Sequence, residues 1–139
     1  MVLNQALVRN RLLMLQLDRK YILVIEVAKD IREIIKRSLG HMANWQVFSV
    51  NTIAEGLTLI QTQQPNVILL EADLLDHSDC HIWQQLQTTA SEQSIPLIFM
   101  AARIRSMDRL RFEELGAVSA IAKPFEPQEL VEAIAQLLK

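Results

Sequence analysis

Cysteine occurs once in this chain, at Cys80, so no intrachain disulfide can form and a four-thiolate zinc site is excluded. That scarcity fits a reducing compartment. No apolar run approaches the roughly 20 residues of a membrane-spanning helix, so no membrane is expected as a partner. Arg9 and Arg11 stand near the N-terminus, but no compact apolar stretch with a small-residue cleavage site follows them. No signal peptide is read there, and a cytoplasmic location is the expectation. Glycine is almost as scarce: three residues cannot build the glycine-rich loop that cradles nucleotide phosphates. Charge of one sign is missing too, and a net charge of −2 points to neither a basic nor an acidic partner.

Apolar residues are what the chain has in quantity. They make up 50% of 139 residues, enough for the core of one domain. Short runs without alternation at 21–25, 46–50, 67–70, 97–100 and 118–121 read as strands buried on both faces. Between them lie segments of helical spacing. The first, 30–39, places apolar residues at 31, 34, 35 and 39, and Gly40 after it reads as its stop. Thr52 and Glu55 form a capping box for a helix over 53–63, which Pro65 ends. Further helices are expected at 80–88 and at 106–115, the latter closed by Gly116, and Pro127 opens a last one to about 138. Five strand–helix units in alternation predict a flavodoxin-like, doubly wound parallel sheet of order 2-1-3-4-5 with helices on both faces. Residues 1–20 stand outside this scheme as an N-terminal extension. Leu3, Leu7, Leu12, Leu13, Leu15 and Leu17 give it the pattern of an amphipathic helix, packed on the 21–139 domain or on a partner.

In such a sheet, function gathers beyond the carboxyl ends of the strands. The residues there are Glu26 and Val27, then Glu71, then Ala101 and Ala102, then Lys123 and Pro124. Residues 71–81 also hold Asp73, Asp76, His77, Asp79, Cys80 and His81. A transition metal would need two or three of these to converge. Cys80 and His81, adjacent at a helix start, point about 100° apart, and the aspartates and Ser78 are turn formers and caps. A solvated turn with a cap is the expectation, and a small metal-binding protein is the alternative. Arg103, Arg105, Arg109 and Arg111 flank or occupy the fourth helix among Asp108, Glu113 and Glu114, a mixed-charge surface suited to a protein partner more than to nucleic acid.

The segments "YILVIEVAKDIREIIKRSL", "PNVILLEADLL", "IPLIFMAAR" and "LGAVSAIAKPFEPQELVEAI" follow one another with the spacing of a known family. Over roughly residues 21–138 the chain resembles the receiver domain of two-component response regulators. Its most specific element is "AKPFEPQEL", where receivers carry a lysine and a proline joined by a cis peptide bond. The resemblance implies a phosphorelay protein with a site of fixed composition. Two acidic residues after strand 1 and an aspartate after strand 3 hold Mg²⁺, and the aspartate accepts the phosphoryl group. A serine or threonine after strand 4 and the strand 5 lysine bind that group, and an aromatic residue on strand 5 reports it.

In this chain those positions are Glu26 with Val27, Glu71, Ala101, Lys123 with Pro124, and Ala120. Val27 removes one Mg²⁺ carboxylate or water anchor. Glu71 is a methylene longer than aspartate, and a misplacement of order 1 Å costs roughly 10²-fold in rate. Ala101 has no hydroxyl and Ala120 no ring. The departures predict a stand-alone pseudo-receiver: no enzyme, no resident cofactor, signalling by protein contact, with the carboxylate of Glu71 reaching toward Lys123. A histidine kinase or another signalling protein is the implied partner. A homodimer through the arginine-bearing surface or the leucine-rich extension is a further expectation. The alternative is a phospho-accepting regulator that uses Asp73 or Asp30.

Overall fold

The structure, a computed structural model, describes residues 20–138. The expected extension thus lies, but for Lys20, outside the described residues. Strands β1 (Tyr21–Ile25), β2 (Gln46–Val50), β3 (Val67–Glu71), β4 (Leu97–Ala101) and β5 (Ser119–Ala122) alternate with helices α1 (Lys29–Ala43), α2 (Ile53–Gln63), α3 (Cys80–Glu92), α4 (Ser106–Glu114) and α5 (Pro127–Leu137). All strand pairs are parallel, in the order β2-β1-β3-β4-β5 expected from the sequence.

The three central strands, β1, β3 and β4, are buried and apolar up to the closing Glu71 of β3 because each side of the sheet is covered. Leu23, Ile25, Ile68, Leu70 and Phe99 point to one layer; Ile22, Val24, Leu69, Ile98 and Met100 point to the other. This is the two-residue period of a strand with both faces buried. The first layer holds Trp83, Leu86 and Phe112, with Phe99 set edge-on to Phe112 at 5.1 Å and tilted against Trp83 at 6.0 Å. Aromatic pairs of this geometry contribute about 1 kcal/mol beyond the area they bury. The second layer holds Ile35, Leu39, Leu130 and Ile134, with Trp45 half-buried against it. Gly56 on α2 lies so close to Ile25 that an added Cβ would collide with the isoleucine side chain.

Several boundaries differ from those expected. Gly40 does not stop α1, which runs on to Ala43. Asn44 takes the left-handed conformation at φ 56°, and its N–H bonds the carbonyl of Gly40. Asparagine tolerates that conformation better than most residues, so it serves as the terminator and Gly40 stays helical. Gln64 closes α2 in the same way, at φ 49°, ahead of Pro65. Helix α3 extends four residues past the expected end, and β5 begins one residue later than expected. Residues 72–77, read as a loop, form a 3₁₀ helix (Ala72–His77) directly after β3. The Thr52 cap is present, its hydroxyl accepting the Glu55 N–H at 3.1 Å.

The close approach at Gly56 yields a test. Gly56→Val should lower unfolding free energy by about 1–3 kcal/mol, the cost of overpacking a filled core. Gly40→Ala, with open space around it, should stabilise by about 0.5–1 kcal/mol, since it replaces glycine inside a helix. Urea denaturation of both variants measures the two effects.

Candidate functional site

Three parallel strands end at the same level, and the residue at or just past each end carries the charge. Glu26 follows β1, Glu71 closes β3, and Lys123 follows β5. The loop after β5 is fixed by the Lys123 N–H, which donates to the Ala101 carbonyl at 2.8 Å, and by the cis Lys123–Pro124 peptide that the resemblance implies. The Lys123 ammonium donates to Glu26 Oε1 at 2.7 Å and forms an ion pair with Glu71 Oε2. One cation thus faces two carboxylates. Glu26 is 1% exposed and Glu71 7%. Among the described residues Glu26 Oε2 has no hydrogen-bond partner, and Glu71 Oε2 meets the ammonium outside hydrogen-bonding geometry. Glu71 Oε1 accepts the N–H of Asp73 at 3.3 Å.

The electrostatics follow from burial and from this imbalance. Burial pushes the Glu26 carboxyl above its ordinary value, and the neighbouring Glu71 carboxylate adds to the rise; Lys123 opposes both without cancelling them. Burial alone would lower the Lys123 ammonium, but its hydrogen bond to Glu26 and its close pairing with Glu71 outweigh that, so it is held above its ordinary value and stays charged.

The site residues named from the sequence divide into two groups. Glu26, Glu71, Ala101 and Lys123 come together, with Ala101 buried beside the lysine as the register partner of Ala122. Val27 turns away and is 60% exposed. The Mg²⁺ site implied by the resemblance does not fit these residues: the Val27 side chain supplies no oxygen, and an ammonium already neutralises both remaining carboxylates in part. Ala120 lies on β5 opposite Phe99, next to a cavity of about 180 Å³ lined by Arg109, Phe112, Glu113 and Val118. Among the described residues no group of three or more His, Cys, Asp or Glu is placed to hold a metal. His77 ends the 3₁₀ helix, Cys80 is exposed, and Asp79 caps α3 by accepting the His81 N–H at 2.7 Å.

Two contacts were not legible in the motifs. The Arg32 guanidinium, from the first turns of α1, donates through Nη1 to the carbonyls of Glu26 at 2.7 Å and Val27 at 2.8 Å. It pins the loop that aims Glu26 inward; an arginine seven residues past a strand end is the only sequence signal. Arg111 of α4 pairs with Asp76 of the 3₁₀ helix at 3.0 Å. Arg103, Arg105, Arg109 and Arg111 are all exposed. Arg105 caps α4 with its N–H on Asp108 Oδ2 at 2.8 Å, and that backbone hydrogen bond holds the Asp108 carboxyl below its ordinary range.

The profile of the response regulator receiver domain family matches residues 22–135. The transcriptional regulatory protein CreB of Escherichia coli is 32% identical over 108 residues, which are 76% of this chain and 46% of that protein. The phosphate regulon transcriptional regulatory protein PhoB of Pseudomonas aeruginosa is 28% identical over 120 residues, 86% of this chain and 52% of that one. The chain therefore spans about half the length of the curated relatives it matches. The non-phosphorylated HemR receiver domain of Leptospira biflexa superposes with a TM-score of 0.72 at 25% identity, covering 87% of this chain and 95% of that one. A CheY-like receiver domain of Methanospirillum hungatei does so at 0.72 and 23% identity, covering 86% and 94%.

Removing the cation should be costly. Lys123→Met leaves two buried carboxylates without a counter-charge and should destabilise by on the order of 3 kcal/mol at neutral pH. The loss should shrink in acid, as the stranded carboxylates take up protons. Glu26 itself should show the opposite pH dependence from an ordinary paired carboxylate. Its folded-state value lies above the 4.5 of a free side chain, so the folded protein holds a proton that the unfolded chain releases. That stabilising contribution is complete below 4.5 and is lost as pH rises through the folded value. Denaturation of the natural chain and of Glu26→Gln from pH 4 upward should show that part of the slope vanish in the variant.

Proposed function

The chain is a member of the response regulator receiver domain family, and from that premise we propose that it is a pseudo-receiver, a signalling module that acts by protein contact without aspartyl phosphorylation. The observation that carries the reading is the ion-paired cluster of Lys123 with Glu26 and Glu71. The lysine that would bind a phosphoryl group is engaged by the chain's own carboxylates, and the residue after β3 that would accept the group is itself one of them. Ala101 offers no hydroxyl to a phosphoryl oxygen. Glu71 places one negative charge on Lys123, where a phosphoryl group would place about −1.5 to −2. In this reading no reaction is catalysed. The domain presents one standing state to its partner.

The contact surface proposed is α4 with β5. Met107, Leu110 and Val118 are 77%, 61% and 57% exposed there, beside Arg103 and Arg109. Exposed apolar side chains rimmed by charge suit a protein partner, either a histidine kinase-like signalling protein or a second copy of the chain. Arg105 and Arg111 are each paired with an aspartate, which favours a protein over nucleic acid.

A second reading draws on the relatives CreB and PhoB, whose names describe transcriptional regulatory proteins. In it the chain accepts phosphate at a non-standard aspartate. Asp73, exposed and two residues past Glu71, is then the candidate, ahead of Asp30 in the first turn of α1.

Incubation with acetyl phosphate and Mg²⁺ separates the two readings. The intact mass should stay unchanged; a gain of one phosphoryl group abolished by Asp73→Asn would establish the second reading instead. The triple variant Val27→Asp, Glu71→Asp, Ala101→Thr should recover labelling. For the surface, sedimentation velocity of the natural chain and of Leu110→Glu should show weaker self-association in the variant; identical monomers would leave a different protein as the partner.

A further inference from the structure

The residue types that link the pocket to the α4 surface in the implied receiver mechanism are absent: Ala101 has no hydroxyl and Ala120 no ring. A different connection is present. The Glu71 carboxylate has two engagements, Oε2 with the Lys123 ammonium and Oε1 with the N–H of Asp73. The same side chain therefore closes the pocket and caps the first turn of the 3₁₀ helix Ala72–His77. At the far end of that helix Asp76 Oδ1 accepts from Arg111 Nη2 of α4 at 3.0 Å. The Ser78 hydroxyl bonds the Leu74 carbonyl and holds the turn together.

The flank of the 3₁₀ helix is not filled. A cavity of about 230 Å³ opens beside it, lined by Leu74, His77 and Ser78 on one side and by Thr52, Ile53 and Ile82 on the other. The 3₁₀ helix is tied at one end to the pocket and at the other to α4, with Leu74 and Leu75 packed against the core and open space along one flank. Six-residue 3₁₀ segments are longer than usual and have poorer hydrogen-bond geometry than α-helices, so the side chains at its two ends, together with Leu74 and Leu75 on the core, decide where this one sits.

The geometry points to the Ala72–His77 turn as the coupling element between pocket and α4 surface, with Glu71 at one end and the Asp76–Arg111 pair at the other. A partner seated on α4 that takes the Arg111 guanidinium frees Asp76 and lets the turn move toward the cavity, and Glu71 then loosens on Lys123. Linkage makes the effect reciprocal: a change at Glu71 alters the affinity of α4 for that partner by the same factor. The inference rests on the reading that Glu71, not a phosphoryl group, holds the pocket.

Amide hydrogen exchange of the full chain tests it in Arg111→Gln, Asp76→Asn, Glu71→Gln and the Glu71→Gln/Arg111→Gln double variant, with Arg109→Gln as a control on the same helix. Arg111→Gln and Asp76→Asn should each speed exchange of the amides of Asp73 and Leu74, at the pocket end of the turn, by about two- to five-fold, the range an exposed ion pair supplies. Glu71→Gln should speed exchange in α4, and the double variant should show less than the product of the two single effects. Arg109→Gln should leave the turn unchanged. Effects confined to the mutated end, a fully multiplicative double variant, or an Arg109→Gln effect equal to that of Arg111→Gln would each overturn the coupling. If Glu71→Gln fails to fold, Asp76→Asn, at an exposed position, still decides. Phosphoryl uptake in the mass measurement would overturn the pseudo-receiver reading alone, because exchange is read on the unmodified protein.

Discussion

One ammonium between two carboxylates organises the carboxyl end of this sheet. Lys123, past β5, reaches across the end of β4 to Glu71 on β3 and to Glu26 past β1, so three strand ends are tied by a single side chain. Ion pairs of this kind give little net stability over an apolar filling, because desolvation offsets most of the attraction. What they fix is arrangement: with the ammonium displaced, two carboxylates are left unpaired in a site where both are almost fully buried. The β1–α1 loop, held by Arg32, and the 3₁₀ turn, capped by Glu71, both take their position from that requirement.

The same constraint bears on what the pocket is able to receive. A receptor for a phosphoryl group keeps positive charge and hydroxyl donors available. Here the positive charge is already met by two negative ones, and the surroundings of Ala101 offer no hydroxyl from that position. The excess negative charge opposes entry of another anion, and the ammonium between the carboxylates opposes entry of a cation. On the proposed reading, a pocket guarded in both directions suits a domain whose output is set by its shape and surface.

Much of this was legible in the sequence. Non-alternating strands and single intervening helices dictate a two-sided parallel sheet, and in such a sheet the residues that follow the strands must meet; hence Glu71 and Lys123. Glu26 was expected at the same end of the sheet, but its ion pair with that lysine was not read, because position past a strand end does not tell which way a carboxylate turns. Val27, its neighbour, turns outward. Gly40 misled because glycine is the common helix terminator, yet α1 still has Met42 and Ala43 to place before Asn44 turns the chain. Asp76 read as a turn former. Its pairing with Arg111, 35 residues on, depends on how α4 lies over the sheet, which no local pattern records.

The two tryptophans fall on opposite sides of the sheet. Trp83 belongs to the layer of α2, α3 and α4, and Trp45 packs against the layer of α1 and α5. Each indole is therefore an optical reporter of one half of the molecule. With either one replaced by phenylalanine, the emission of the other follows a single layer. Comparing the two denaturation curves would reveal whether the layers come apart together or in succession.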